Sequence, residues 1–409
     1  MNNIKSPPFV LSFVEGLSKG FSGILLDYLP WEWTLKIRFF SRAILFLILA
    51  SALASAPAFS AAPSPSQARQ EAEAKGYIFY PSHDEIVAGA KKEGKLRVNT
   101  GLEVPNHKPL INGFKQRYPF ITDIQIEEIP GSPEAYQRVL LQIKSGEAKG
   151  WDITLTYLDF INEYIPYLMK HDIVGMARQG VLKIDPRMVH PAERNMVSVT
   201  SSLTVIPYNR KLIPDDKVPA KWEDFLKPEF KGRKFVTDVR PIQVAGLVPA
   251  WGLEKTLDFA RKLAAQEPIW TRGATRTTTA VAVGEYSLYL GTNYGSINRA
   301  MSKDPTGNLN YRIIEPAPIR VVNGACAILK TADHPYAALL WLEYLASPEG
   351  QEIIDKYEPL KGSVYAPTSA LAQVTRGKKL SVVDWDHFTR VQEYESQIVA
   401  AFGFPKADK

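Results

Sequence analysis

Leu203–Leu212 reads Leu-Thr-Val-Ile-Pro-Tyr-Asn-Arg-Lys-Leu. Leu203, Thr204, Val205 and Ile206 favour a strand, and Pro207, with no N–H to give to a ladder, suits a strand end or an edge. Tyr208-Asn209-Arg210 turns the chain outward, and Ile213-Pro214-Asp215-Asp216 opens a new segment. A strand broken in this way is how a chain crosses between two lobes. The same pattern also describes an ordinary surface strand followed by a loop, so the flanking segments must decide.

On the N-terminal side strands and helices alternate. Glu85–Gly94 is an amphipathic helix ending at glycine, and Leu96–Gly101 a short strand closed by a Thr-Gly turn. Leu110, Ile111, Phe114 and Tyr118 share a helix face; Ile124, Ile126 and Ile129 mark a strand over 123–129. Gly131-Ser132-Pro133-Glu134 opens a helix, with serine as cap and proline in the first turn, and Trp151–Thr156 is a third strand. This β-α-β-α-β order implies a mostly parallel sheet flanked by helices. Ligands of such sheets sit at the C-terminal strand ends, which makes Thr100, Gly131, Ser132 and Tyr157 candidate binding residues. Backbone N–H groups at the helix start near Ser132 would favour an anion; a plain helix cap is the alternative.

The C-terminal side repeats the alternation without repeating the sequence. Trp222–Gly232 is a helix, a proline stop and a glycine turn; Lys234–Asp238 is a strand leading to Arg240. Helices follow over 244–252 and 254–265. Residues 270–279 form a hydroxyl- and arginine-rich loop entering an apolar helix that ends near Gly284, and Tyr286–Leu290 is a strand. Apolar helices cover 335–345, 348–357 and 391–402, with loop over 364–379. Two α/β lobes joined by crossovers account for both halves.

The 409 residues carry a net charge of +6, 45% hydrophobic and 22% charged residues, and no basic run, so nucleic acid is not an expected partner. Lys36, Arg38 and Arg42 precede the apolar stretch Ala43–Ala50 and the small residues Ala56–Ala62, the pattern of a secretory signal peptide, with an uncleaved membrane anchor as the alternative; residues 1–35 imply either an over-long leader or a true start downstream of Met1. The expected products are a signal segment over 1–60, a linker over 61–76 and an exported mature chain. Cys326 is the sole cysteine, so no internal disulfide can form, and its apolar neighbours read as core.

Several short motifs resemble the extracellular solute-binding proteins of ABC importers, in the branch named for ferric iron binding. They run from about Ile86 to Gly350: Ala90-Lys-Lys-Glu-Gly-Lys-Leu96, Val205–Leu212, Trp222-Glu-Asp224 with Lys231-Gly232, and Val283-Gly-Glu285. Val322–Leu329, His334-Pro335 and Ser347-Pro-Glu-Gly-Gln351 complete the set. The resemblance implies a periplasmic-binding-protein-like clamshell, lobe 1 from 77–206 plus 316–356 and lobe 2 from 207–315 plus 357–409. Pro207 and Tyr208 would then be the hinge, with a second crossover near Pro316-Ala317-Pro318. It also implies a periplasmic monomer, without cofactor, that captures a small-molecule solute and docks transiently on an inner-membrane permease. A membrane sensor in place of the permease is the alternative partner.

Iron-binding members place two adjacent tyrosines after the strand that follows Gly-Glu. Counted from Gly284-Glu285 these fall on Tyr294 and Gly295; the family's glutamate falls on Tyr157, and a histidine corresponds to His107. One tyrosine and one histidine are a poor set for a hard trivalent cation, so iron is the lesser expectation. Arg240, Arg272 and Arg276 fall at or just after strand ends, where guanidinium forks suit carboxylate, phosphate or sulfonate. Thr275, Thr277, Thr278, Thr279 and Asn293 would complete the hydrogen bonding, and Tyr157, Trp270 or Tyr294 would cover an organic body. The expected solute is a small organic or phosphorylated anion. No Gly-x-Ser-x-Gly, His-Glu-x-x-His or Gly-x-x-x-x-Gly-Lys motif supports an enzyme, and Asp384–His387 reads as a helix start.

Overall fold

The computed structural model describes residues 64–157, 160–321 and 324–404; the signal segment expected over 1–60 lies outside them. Where a linker was expected, helix α1 (Pro65–Ala74) forms. Ser64 Oγ accepts from Gln67 N–H at 3.3 Å, and Gln67 Oε1 accepts from Ser64 N–H at 3.0 Å. This reciprocal cap, with Pro65 in the first turn, satisfies amides that the helix itself cannot. Ala72 then anchors α1 in the core.

Helix α2 (His83–Glu93) ends on left-handed Gly94 and leads into β1 (Lys95–Thr100). Next come α3 (Val104–Arg117), β2 (Asp123–Glu128), α4 (Pro133–Ser145), β3 (Ile153–Thr156) and β4 (Met196–Val197). The first turns of α3, which sequence spacing leaves out, are held by distant carboxylates. Glu128 accepts from Val104 N–H, and Glu358 from Glu103 N–H and Asn106 Nδ2. Helix starts of this kind are invisible to local cap rules.

Strand β5 (Ser202–Asn209) is followed by β6 (Val236–Asp238), α5 (Leu253–Ala264), β7 (Ile269–Thr271), α6 (Ala274–Ala282), β8 (Thr292–Asn293) and α7 (Tyr294–Met301). The chain closes with β9 (Leu309–Arg312), β10 (Ala317–Arg320), β11 (Ala325–Ile328), α8 (Pro335–Ala346), α9 (Pro348–Tyr357), β12 (Leu380–Val383), α10 (Trp385–Thr389) and α11 (Val391–Phe402). Three expectations change. Residues 270–279 are strand and helix instead of loop, Tyr286–Leu290 makes only isolated bridges, and 364–379 contains the short helix Ala370–Val374.

The first sheet runs β2-β1-β3-β11-β4, parallel across β2-β1-β3 and antiparallel from β3 to β4. One face buries Leu96, Val98, Ile153 and Ile328 against α2, α3 and α8. There Phe114 meets the Trp341 and Tyr344 rings edge-on at 5.0 and 5.5 Å. The second sheet runs β12-β10-β5-β8, with β9 on the far half of β5. It is mixed: β10 and β12 are parallel, while β5 is antiparallel to each of its neighbours. β6 and β7 form a separate parallel pair, and α11 packs on α5 through Tyr394, Ile398 and Phe402.

The chain passes between the sheets three times: over 198–201, between β10 and β11, and over 358–364. Hydrogen bonds bind the passages together. Ser198 Oγ lies 2.9 Å from the Val321 carbonyl, Ser201 N–H donates to Lys361 O at 2.9 Å, and Val364 N–H donates to Ser201 Oγ at 3.1 Å. The hinge expected at Pro207 and Tyr208 is not at a passage. Pro207 pairs with Tyr311 and Tyr208 with Asn310 inside the second sheet, and the Tyr208 hydroxyl donates to Asp215 at 3.0 Å. Leu203–Val205 pairs with β10 and β8, and Ile206–Asn209 with β9, so the proline falls where β5 changes partners.

The Ser347–Gln351 motif has a packing reason. Ser347 caps α9 by accepting from Gly350 N–H, and a Cβ on Gly350 would overlap the Tyr344 carbonyl oxygen. Backbone cannot yield as a side chain would, so Gly350→Ala is expected to cost about 2–3 kcal/mol. Urea unfolding of the mature protein measures it, and a change below about 0.5 kcal/mol would contradict this close approach.

Candidate functional site

The parallel strands of the first sheet end where the chain crosses to the second. Thr156, last in β3, pairs with Ala325, first in β11. Thr100 is buried here, and its Oγ1 accepts from Leu102 N–H at 3.2 Å, which fixes the turn after β1. Tyr157 stacks on Tyr136 with ring centroids 4.6 Å apart and planes inclined by 19°, giving an aromatic wall. Burial, and then the neighbouring Tyr157, push the Tyr136 phenol up to about 12.

The anion site expected at Gly131–Ser132 is already filled. Ser132 N–H donates to Pro130 O at 2.7 Å, and Ser132 Oγ accepts from Ala135 N–H at 3.3 Å. The Glu134 carboxylate, held below its ordinary range by its own N–H and by the Ser132 hydroxyl, supplies the negative charge that this helix start favours. Gly131–Ser132 is thus a self-satisfied cap.

On the second-sheet side the three arginines differ. Arg240 Nε and Nη2 donate to Asp238 at 3.1 and 2.9 Å, and Asp238 also accepts Arg240 N–H and Gly273 N–H. Burial pushes the Asp238 carboxyl up, but these partners outweigh it and hold the group below its ordinary range. Arg240 therefore shapes the loop after β6 and is not an open fork. Arg272, just past β7, and Arg276, in the first turn of α6, are exposed and make no ion pair among the described residues.

The hydroxyls expected around them are largely spent on the fold. Thr277 is buried with its Oγ1 3.0 Å from Thr271 Oγ1, while Thr278 and Thr279 donate back to the carbonyls of Ala274 and Thr275. Thr275 is exposed. Trp270 packs on Phe402 and Phe404 at 4.9 and 4.6 Å, which removes it as a cover for a ligand. Asn293 Oδ1 caps α7 by accepting from Ser296 N–H at 2.9 Å. Tyr294 begins α7 and meets Tyr311 edge-on at 5.2 Å. Burial first, then Tyr311, push its phenol up to about 12, so at neutral pH it is a neutral hydrogen-bond donor.

Sequence reasoning missed Glu103 and Arg299. Glu103 follows the turn after β1, and its carboxylate meets Arg299 of α7 at 3.0 Å. Nothing local marks either residue, since they lie 196 positions apart and only the fold joins them. His107, the other residue considered for iron, has its Nε2 2.9 Å from the Leu102 carbonyl. Among the described residues no group of three or more His, Cys, Asp or Glu side chains is placed to hold a metal.

Two α/β sheets joined by adjacent passages, with aromatic, hydroxyl and charged side chains near those passages, define a two-lobed solute-capturing architecture. The chain belongs to the bacterial extracellular solute-binding protein family, whose model matches residues 163–390. The family binds solutes and is not one of enzymes. No curated protein matches the sequence.

Among solved structures, iron-bound HitA from Pseudomonas aeruginosa is similar, with a TM-score of 0.53 and 17% identity over 75% of this chain and 99% of its own. The Trichodesmium protein IdiA (FutA), in complex with iron and citrate, gives 0.57 and 16% over 75% and 99%. The spermidine/putrescine protein PotD from Streptococcus pneumoniae, in complex with calcium and HEPES, gives 0.51 and 16% over 75% and 99%. These likenesses bear out the clamshell class. Among the described residues no helix is long and apolar enough to cross a membrane.

Proposed function

We propose that the protein captures a small organic or phosphorylated anion between its two sheets in the periplasm and delivers it to an inner-membrane ABC permease. Each sheet with its helices forms one lobe, and the boundaries lie at the three passages instead of beside Pro207 and Pro316. The observation that carries the reading of the solute is the unmatched charge of Arg272 and Arg276. Both stand exposed near the end of β7, while Arg240 beside them is neutralised by Asp238. Exposed guanidinium groups without a carboxylate partner can form the paired hydrogen bonds that carboxylates and phosphates take. Tyr294 adds a neutral phenol donor, and the Tyr136–Tyr157 stack offers a flat apolar face.

A thermal-shift panel of carboxylates, phosphorylated solutes, polyamines and ferric citrate tests this reading on the mature protein. At least one anion is expected to raise Tm in the wild type. The double variant Arg272→Ala/Arg276→Ala is expected to weaken that anion's binding about 10- to 100-fold, one to two charge-assisted contacts' worth. Stabilisation by polyamines or ferric salts alone would overturn the assignment.

A further inference from the structure

Glu103 and Arg299 sit on opposite sides of the passages. Glu103 lies just beyond β1 of the first sheet, and Arg299 on α7, which continues from β8 of the second. Their 3.0 Å contact therefore joins the two halves by side chains alone, with 38% and 48% of the respective side chains exposed. Both ends are braced. Glu103 N–H donates at 3.0 Å to Glu358, which also accepts from Asn106 Nδ2 at 2.8 Å and pairs with Lys361 at 3.2 Å. Glu358 begins the third passage, so the backbone carrying Glu103 is fastened to a segment on which the halves must turn. At the other end, Asn293 caps the helix that carries Arg299, and Arg299 Nη1 runs alongside Gly295, next to Tyr294.

We propose that Glu103 and Arg299 form an electrostatic latch between the lobes, biasing the unliganded protein toward the closed arrangement. This rests on reading the two sheets as lobes that open and close. It does not depend on which solute is bound. An exposed pair is a weak lock, and that suits the role: a contact worth a few-fold in population tunes an opening equilibrium without freezing it. Such a pair is also screened by salt, so its effect can be removed without mutation.

Small-angle scattering of the solute-free mature protein tests the latch. The wild type is expected to expand on going from low salt to 0.5 M NaCl, where the Debye length falls to roughly 4 Å. Glu103→Gln and Arg299→Gln are expected to be expanded already at low salt and to respond little to more. The charge-swapped double variant Glu103→Arg/Arg299→Glu is expected to regain the compact radius and its salt response. A radius unchanged by salt and by both single variants overturns the latch. Expansion in the single variants that the swap fails to reverse also overturns it, because a contact based on charge must survive exchange of its partners. Anion binding in the thermal-shift panel is read separately, so failure of the latch and failure of the solute assignment remain distinct.

Discussion

Replacing Gln351 by leucine is expected to lower stability by about 4 kcal/mol, since three buried backbone groups lose their partners at roughly 1–3 kcal/mol each, with partial relaxation. Gln351 is fully buried. Its Nε2 donates to Val199 O at 3.0 Å and to Leu345 O at 2.7 Å, and its Oε1 accepts from Ser363 N–H at 2.7 Å. Val199 belongs to the first passage and Ser363 to the third, so one amide bridges two of the three connections between the sheets. Leucine has similar volume and can fill the space, but it leaves two carbonyls and one N–H buried without partners. At this chain length the loss corresponds to a fall in Tm of roughly 5–6 °C. Differential scanning calorimetry of the mature variant measures it; a loss below about 1 kcal/mol would mean that water or a shifted loop replaces the amide.

Gln351 also shows what the sequence can and cannot reveal. The Ser347–Gln351 motif is recognisable as a family feature, and Ser347 with Pro348 announces the start of α9. Two of the three partners of Gln351 lie 152 and 12 positions away, and no local pattern discloses them. The same division runs through the fold. Elements with local caps, such as α2 after Ser82 and α4 after Ser132, are legible within a residue or two. The start of α3 is not, because Glu128 and Glu358 reach it from other elements.

Pro207 is the instructive error. A proline in a strand signals a break in the ladder, and one exists there, but it is an exchange of β10 and β8 for β9 within one sheet. The passages are marked by Ser198, Ser201 and Ser363, whose small polar side chains and amides have no distinctive pattern. At the site, residue type alone grouped Arg240 with Arg272 and Arg276. Only the fold shows that Asp238 has claimed the first, two residues away, while the other two have no ion-pair partner among the described residues.

Acid is expected to destabilise the protein well before its carboxylates titrate, through His171. This side chain is fully buried and neither ring nitrogen has a hydrogen-bond partner. Its surroundings are the Tyr80 ring at 5.9 Å, the backbone of Ile78, and Met169, whose carbonyl accepts from both His171 N–H and Asn195 Nδ2. Among the described residues no carboxylate pairs with the ring, and burial pushes the pKa from 6.5 down to about 4. The folded state therefore holds His171 neutral, while the unfolded chain takes up a proton as pH falls through 6.5. Between pH 6.5 and 4 the unfolded state binds more protons, so stability declines across that window and levels off below it for this group. The depression is equivalent to roughly 3 kcal/mol. His190 adds to the slope with the same sign: burial lowers its pKa, and its Nδ1 accepts from Ala192 and Glu193 N–H, bonds that a protonated ring cannot keep. Urea unfolding at pH 7.0 and 4.5 should show most of this loss in the wild type. His171→Leu, whatever its absolute stability, should show a markedly smaller difference between the two pH values. An equal difference in the variant would mean that the folded protein protonates His171 without penalty, through a water path or an opening of the Tyr80 side that this packing excludes.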